Sequence, residues 1–288
     1  METINSIKDL KVALSAERAR ANTIGFVPTM GYLHEGHTSL ISNARKTNDI
    51  VITSIFVNPL QFSENEDLNT YPSDIEADTT KAINAGCDFL FTPSVSQMYP
   101  SEQHTSKTKI NVSDLAKSWE GSLRPGHFEG VATVVNKLLN IVGPCSVYFG
   151  EKDFQQLQIV KQMVSDLSID ASVIQCETIR DRNGLALSSR NSYLDAAQKQ
   201  QAAVLYQSLQ AAAKLVEIGE SDPSTIEEFC RNRIISKIDA SVDYIGAVDP
   251  KTLNVPDKIV DEVRILAAIN FADVRLLDNI GCSPCVTK

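Results

Sequence analysis

The sequence predicts an α/β protein, a doubly wound parallel sheet followed by a smaller α+β C-terminal domain. Three observations carry that reading. Short β-rich runs alternate with helix-period segments over residues 1–179. The runs are almost continuously apolar, as suits strands buried on both faces of a parallel sheet. From residue 180 to 288 the order changes to long helices followed by strands, and the domains are placed at 1–179 and 180–288.

Taken in order, Thr23 to Val27 reads as the first strand, followed by a Pro-Thr-Met-Gly turn and a helix from about His37 to Thr47. Asp49 to Val57 is the second strand, carried by Ile50, Val51, Ile52, Ile55, Phe56 and Val57. A helical stretch from Ser73 to Ala85 stops at Gly86, and Cys87 to Thr92 is the third strand. Val131, Val134, Val135, Leu138, Leu139 and Val142 follow helical spacing up to a Gly143-Pro144 terminator. Val147 to Phe149 is the fourth strand, Asp153 to Leu167 a helix and Ala171 to Ile179 the fifth strand. In the second domain, Ala196 to Gly219 and Thr225 to Ile238 read as helices. Ser241 to Val248 and Arg264 to Leu277 read as strands of a small sheet.

Composition bounds the function. The chain has 288 residues, 43% apolar and 22% charged, with a net charge of −9. That balance argues against nucleic acid or an anionic membrane as partner, and any anionic ligand needs positive groups gathered locally. Met1 to Asn22 mixes acidic and basic residues and lacks the apolar core of a secretory signal. No apolar run reaches the roughly 18 residues of a membrane span. The scattered cysteines read as reduced, buried thiols of a cytoplasmic protein, with Cys282 and Cys285 a tail C-x-x-C that lacks two further zinc ligands nearby.

Polar clusters follow the carboxyl ends of the expected strands, where open α/β sheets bind ligands. Pro28-Thr29-Met30-Gly31-Tyr32-Leu33-His34-Glu35-Gly36-His37 joins the first strand to its helix. His34 and His37 would share a face of that helix. Gly31 and Gly36 allow close backbone approach, and the helix N-terminus favours phosphate. A turn with two surface histidines is the plainer alternative. A metal pair is another, with only His104 and His127 left as further imidazoles.

Asn58 and Gln61, after the second strand, carry amides able to read a carboxylate and a hydroxyl. Gly150-Glu151-Lys152-Asp153 places a cation and a ribose-acceptor carboxylate after the fourth strand, or simply starts a helix. Leu187-Ser188-Ser189-Arg190 offers hydroxyls and a guanidinium to a triphosphate, or caps a turn. Arg124-Pro125-Gly126-His127 is a basic loop of weaker claim. Together His34, His37, Lys152 and Arg190 make the local positive site that ATP requires within an acidic chain.

The order of these motifs resembles a known family. His34-Glu35-Gly36-His37 is similar to the H-x-G-H signature of the nucleotidyltransferase superfamily, and Leu187-Ser188-Ser189-Arg190 to the K-M-S-K-S loop of class I aminoacyl-tRNA synthetases. Val27 to His37, Ile55 to Phe62, Phe149 to Gln156 and Gly184 to Asn191, in that order, resemble the pantothenate synthetase (pantoate–β-alanine ligase) family. The resemblance spans most of residues 20–195. It implies a Rossmann-like nucleotide- and pantoate-binding domain over 1–179 and a C-terminal domain, 180–288, that closes over ATP. It implies that ATP, with Mg²⁺, and pantoate form pantoyl adenylate and pyrophosphate, and that β-alanine then displaces AMP.

By motif, Pro28, Met30, Gly31, Tyr32, Leu33, His34, Glu35, Gly36 and His37 would bind ATP. Gly150, Glu151, Lys152, Asp153, Ile179, Leu187, Ser188, Ser189 and Arg190 would join them. His37 would be catalytic, assisted by His34, Lys152 and Arg190. Gln61, Gln156, Asn58 and Arg124 would hold pantoate or β-alanine. The family implies a cytoplasmic homodimer and leaves the Mg²⁺ ligands open. The competing readings are another H-x-G-H adenylyl- or cytidylyltransferase, a metal-dependent hydrolase, and a nucleotide-binding module without activity.

Overall fold

The computed structural model describes residues 1–63, 66–101 and 106–285; His104 lies outside them. The chain divides into two compact units: Met1–Glu151 with Gln155–Glu177, and Lys152–Phe154 with Thr178–Lys288. No helix among the described residues is long and apolar enough to cross a membrane.

The first unit is built on six parallel strands: β1 (Glu2–Ile4), β2 (Ile24–Thr29), β3 (Ile50–Ile55), β4 (Phe89–Phe91), β5 (Cys145–Gly150) and β6 (Ala171–Cys176). Between them run α1 (Ile7–Ala19), α2 (Glu35–Thr47), α3 (Ile75–Asn84), α4 (Val95–Met98), α5 (Glu120–Leu123), α6 (His127–Val142) and α7 (Phe154–Asp166). The sheet order is β1-β4-β3-β2-β5-β6. The chain therefore winds outward from β2 to β3 and β4, then returns to lay β5 on the other side of β2. β2 and β5 lie side by side at this switch point, from which the two sets of crossover loops part.

Why these residues make these elements is plain at α6. Val131, Val134, Val135, Leu138, Leu139 and Val142 recur at helical spacing and are all buried; each such side chain contributes about 1.5–3 kcal/mol. The helix stops at Gly143, whose φ of 77° few other residues adopt readily. Arg18 of α1 donates to the carbonyls of Val142 and Pro144 there, meeting acceptors the helix cannot satisfy itself. β1 is an addition to the five strands expected in this region. With three residues and an exposed Glu2-Thr3 start it carries too little apolar pattern to be read in advance.

The second unit carries α8 (Ala196–Ala202), α9 (Val204–Glu217), α10 (Pro223–Ile235) and an antiparallel sheet of β7 (Ala240–Val248), β8 (Val263–Phe271) and β9 (Val274–Cys282). Its core joins Leu209, Ala212 and Val216 of α9 and Ile226 and Cys230 of α10 to Ile265, Ala267 and Ile269 of β8. Two expectations change. The single helix over Ala196 to Gly219 is two helices, because the backbone at Ala203 tightens to ψ −17° at their junction. The single strand over Arg264 to Leu277 is a hairpin. Its turn, Ala272-Asp273, takes φ of 50° and 60° without the Asn or Gly that usually marks such a turn.

Candidate active site

The loop after β2 is shaped by a residue the sequence did not single out. Asp78 on α3 is 2% exposed, and its carboxylate accepts from the backbone N–H groups of Tyr32 (2.7 Å) and Leu33 (2.6 Å). Burial pushes its pKa upward against those two donors, which favour the charged form. Lys81, one turn on, donates to the Leu33 carbonyl at 2.6 Å. The chain reaches this clamp through Gly31 (φ 86°) and Tyr32 (φ 50°). A Cβ on Gly31 would come within 2.9 Å of Ile55 and 3.1 Å of Asp78, so both the left-handed turn and the close approach require glycine.

From this turn the chain enters α2 through two imidazoles. His34 is the N-cap, and its Nδ1 accepts from Gly36 N at 3.1 Å. His37 Nδ1 accepts in return from His34 N at 3.3 Å. The pair does the work of a Ser and Glu capping box, and the rings lie 4.0 Å apart. An Nδ1 that accepts carries no proton, so the hydrogen bonds assign both rings to the Nε2–H tautomer. The donor of each ring is therefore Nε2–H, beside the positive end of α2. Their spacing in the sequence predicts that they share a face, and the structure brings them together. The geometry makes them neutral, fixed donors.

Asn58 and Gln61 close β3 and differ in role. Asn58 is 1% exposed. Its Nδ2 donates to Gln61 Oε1 and to the Gly130 carbonyl, both at 3.1 Å, while its Oδ1 accepts from the Tyr99 hydroxyl at 2.8 Å. Its amide is thus committed to holding Gln61, a brace rather than a free reader of substrate. α6 passes so close that a Cβ on Gly130 would lie 2.2 Å from the Leu60 carbonyl.

Arg124 is likewise engaged, with a bidentate pair to Glu66 at 2.6 and 2.7 Å. Burial works against ionisation of Glu66, but Arg124 outweighs it and holds the carboxyl below its usual range. His127 donates from Nδ1 to the Gln61 carbonyl at 2.8 Å and accepts at Nε2 from Arg124 at 3.1 Å. Burial, helped by the Arg124 charge, pushes its pKa down to about 4. A small polar cleft is lined by Gln61, Glu66, Arg124 and His127.

At the end of β5, Gly150 is not demanded by packing: a Cβ there would meet no protein atom within 4 Å. Beyond it, Gln155 is buried and accepts from Glu120 N while donating to the carbonyls of Leu115 and Ser118. The adjacent Gln156 is half-buried and carries no such structural bond among the described residues.

Within the second unit, Lys152 and Asp153 make a 3.4 Å ion pair. Residues 178–190 form a narrow loop in which Leu187 N donates to the Ile179 carbonyl at 2.9 Å, so these two predicted contacts sit opposite each other. Ser188 caps the following 3₁₀ turn, its Oγ accepting from Arg190 N at 3.3 Å. The loop is tied down by Arg180, which pairs bidentately with the buried Asp278 at 2.5 and 2.9 Å and stacks 3.3 Å over Tyr206.

A Rossmann-like α/β enzyme, with an imidazole-capped H-x-G-H loop at the switch point of its sheet, is the class that this fold and site define. The family model for pantoate-beta-alanine ligase matches residues 2–281, and the chain belongs to that family. It is 44% identical over 280 residues to the pantothenate synthetase of Acetivibrio thermocellus, covering 97% of this chain and 99% of that one. It is 45% identical over 285 residues to that of Rhizobium meliloti, covering 99% and 97%.

Among solved structures, the pantothenate synthetase from Thermus thermophilus superposes with a TM-score of 0.90 at 42% identity, covering 97% of this chain and 99% of that one. The pantoate-beta-alanine ligase from Francisella tularensis, complexed with beta-gamma ATP and beta-alanine, gives 0.79 at 37%, covering 97% of each. The chain is accordingly an enzyme, a pantoate–β-alanine ligase.

Proposed function

We propose that this ligase works through an acyl adenylate. The pantoate carboxylate attacks the α-phosphorus of ATP; a C–O–P mixed anhydride forms and pyrophosphate leaves. The neutral amine of β-alanine then attacks the acyl carbon, forming the amide and expelling AMP. The first step asks for alignment and charge neutralisation more than for acid–base work.

The observation that carries this reading is the pair of neutral Nε2–H donors at the switch point. Donors already held by their other nitrogen lose no ordering when phosphate charge develops, which is what makes preorganised groups effective. We assign the phosphates to His34, His37 and the backbone from Met30 to Gly36. Lys152 and Arg190 supply the cations that a triphosphate requires, with Ser188 and Ser189 as further donors. Gly150, Asp153, Ile179 and Leu187 are assigned to the nucleoside by the family resemblance.

Gln61 and Gln156 are assigned to pantoate. The bracing of Gln61 by Asn58 and His127 supports this, since a substrate reader must not wander. Among the described residues no three His, Cys, Asp or Glu gather as a metal site. The family resemblance implies Mg²⁺, which ATP's own phosphates would hold and which would neutralise charge on the leaving pyrophosphate. A homodimer follows from the family resemblance. A cytoplasmic location is favoured by six unpaired cysteines.

The test is isotope exchange. Labelled pyrophosphate should enter ATP only when pantoate is present and without any β-alanine. Exchange that ignores pantoate, or none at all, would overturn the two-step reading.

A further inference from the structure

Lys152 and Phe154 belong to the second unit although the chain on either side belongs to the first. What holds them there is a buried polar relay on the small sheet. Asn279 of β9 is 3% exposed and Arg264 of β8 is 9% exposed. They lie diagonally on one face, since Arg264 pairs with Gly281 and Leu266 with Asn279. Arg264 Nε donates to Asn279 Oδ1 at 2.6 Å, which fixes the amide's orientation. Asn279 Nδ2 then donates to the backbone carbonyl of Lys152 at 2.9 Å. The Arg264 guanidinium also lies 4.4 Å over the buried ring of Phe154. Gly281 leaves the room: a Cβ there would stand 3.3 Å from Arg264.

A buried guanidinium is a costly way to cover a sheet face that apolar side chains could cover at less expense. Here its Nε–H bond leads through the Asn279 amide to the segment that carries Lys152. We infer that Arg264 and Asn279 are positioning residues for Lys152: they fix its backbone and the ring two residues on, so that the ammonium is delivered at a set place. The importance of that place for turnover rests on the role proposed above for Lys152; the positioning itself does not. β9 thereby holds two segments at once, since the neighbouring Asp278 grips Arg180 of the 178–190 loop.

Asn279→Asp tests this, because it keeps an acceptor for Arg264 and removes the donor to Lys152. Arg264→Lys is the second variant, removing the Nε–H fork while keeping the charge. Acylation of the Lys152 amine by acetic anhydride, followed by mass spectrometry against the exposed Lys11 as internal reference, should change severalfold in both variants. Pantoate-dependent exchange should fall by about 10- to 100-fold in kcat, the range expected of an ångström-scale misplacement, with the KM for pantoate held. Asn279→Asp combined with Lys152→Ala should be no slower than Lys152→Ala alone. Parent-like labelling of Lys152 in both variants, or additive losses in the double variant, would overturn the inference. Altered labelling together with full activity of Lys152→Ala would instead remove Lys152 from the proposed chemistry and leave the positioning standing.

Discussion

The loop after β2 and the loop over residues 178–190 are restrained in opposite ways. The first is fixed through its own main chain: Asp78 takes two backbone N–H groups, Lys81 takes a carbonyl, and two imidazoles cap the helix that follows. The second closes on itself, its own Asp181 taking the N–H groups of Asn183 and Leu185, and is anchored at its root by the Arg180–Asp278 pair and the Tyr206 stack. Main-chain restraint leaves every atom of a loop in place. Anchoring at the root leaves the far end, Arg182 to Gly184, exposed or half-buried and held only by bonds within the loop, among them Arg180 to the Gly184 carbonyl. The one suits the phosphate donors proposed at His34 and His37. The other suits the proposed role of its segment in holding ATP.

The largest break in this comparison is Asp278→Asn. Removing one partner of a buried ion pair costs about 3–5 kcal/mol, and trypsin should then cut after Arg182 far faster than in the parent. Unchanged protection at that bond would mean the root is not held by the pair. Next comes His37→Ala, expected to lower turnover about 10²–10³-fold, the loss of one preorganised donor. Full activity in that variant would strip the imidazole of its role.

Asp78→Asn is expected to cost about 2–3 kcal/mol, since an amide replaces one of two acceptors with a donor facing a donor. Hydrogen exchange at Tyr32 and Leu33 should rise while the 178–190 loop is unmoved. Exchange as slow as in the parent would show that Asp78 does not hold the turn. The smallest effect concerns His127. Its folded pKa of about 4 lies below the unfolded 6.5, so its contribution is complete above pH 6.5 and is lost as pH falls toward 4. Allowing for its partial exposure, unfolding in denaturant at pH 5 should show about 1–2 kcal/mol less stability than at pH 7. The slope should flatten in His127→Asn, and an equal slope in both proteins would clear His127 of responsibility.

What could be read from the sequence follows from how local each signal is. β2, β3 and β5 announce themselves because strands buried on both faces must be apolar throughout, and α6 because its six apolar positions keep helical step. The spacing of His34 and His37 is likewise contained within one turn. Asp78 was invisible: it is one acid on an acidic helix, and only the fold brings it against a loop 45 residues away. Arg264, Asn279 and Asp278 were invisible for the same reason. The bracing of Gln61 by Asn58 was not legible, because a buried brace and a substrate reader use the same amide. The Ala272-Asp273 turn escaped notice because its conformation is imposed by pairing of the flanking strands rather than by its residues.

One consequence of the histidine cap extends to poisoning by metals. A zinc or copper ion that sought Nδ1 of either ring would first have to take an acceptor from a backbone amide and fray the opening turn of α2. The outer nitrogens offer no easier route, since each carries the ring proton and would have to pass it to the Nδ1 that accepts from the backbone. The cap that fixes these side chains also discourages the transition-metal cations that two imidazoles at this separation would otherwise attract.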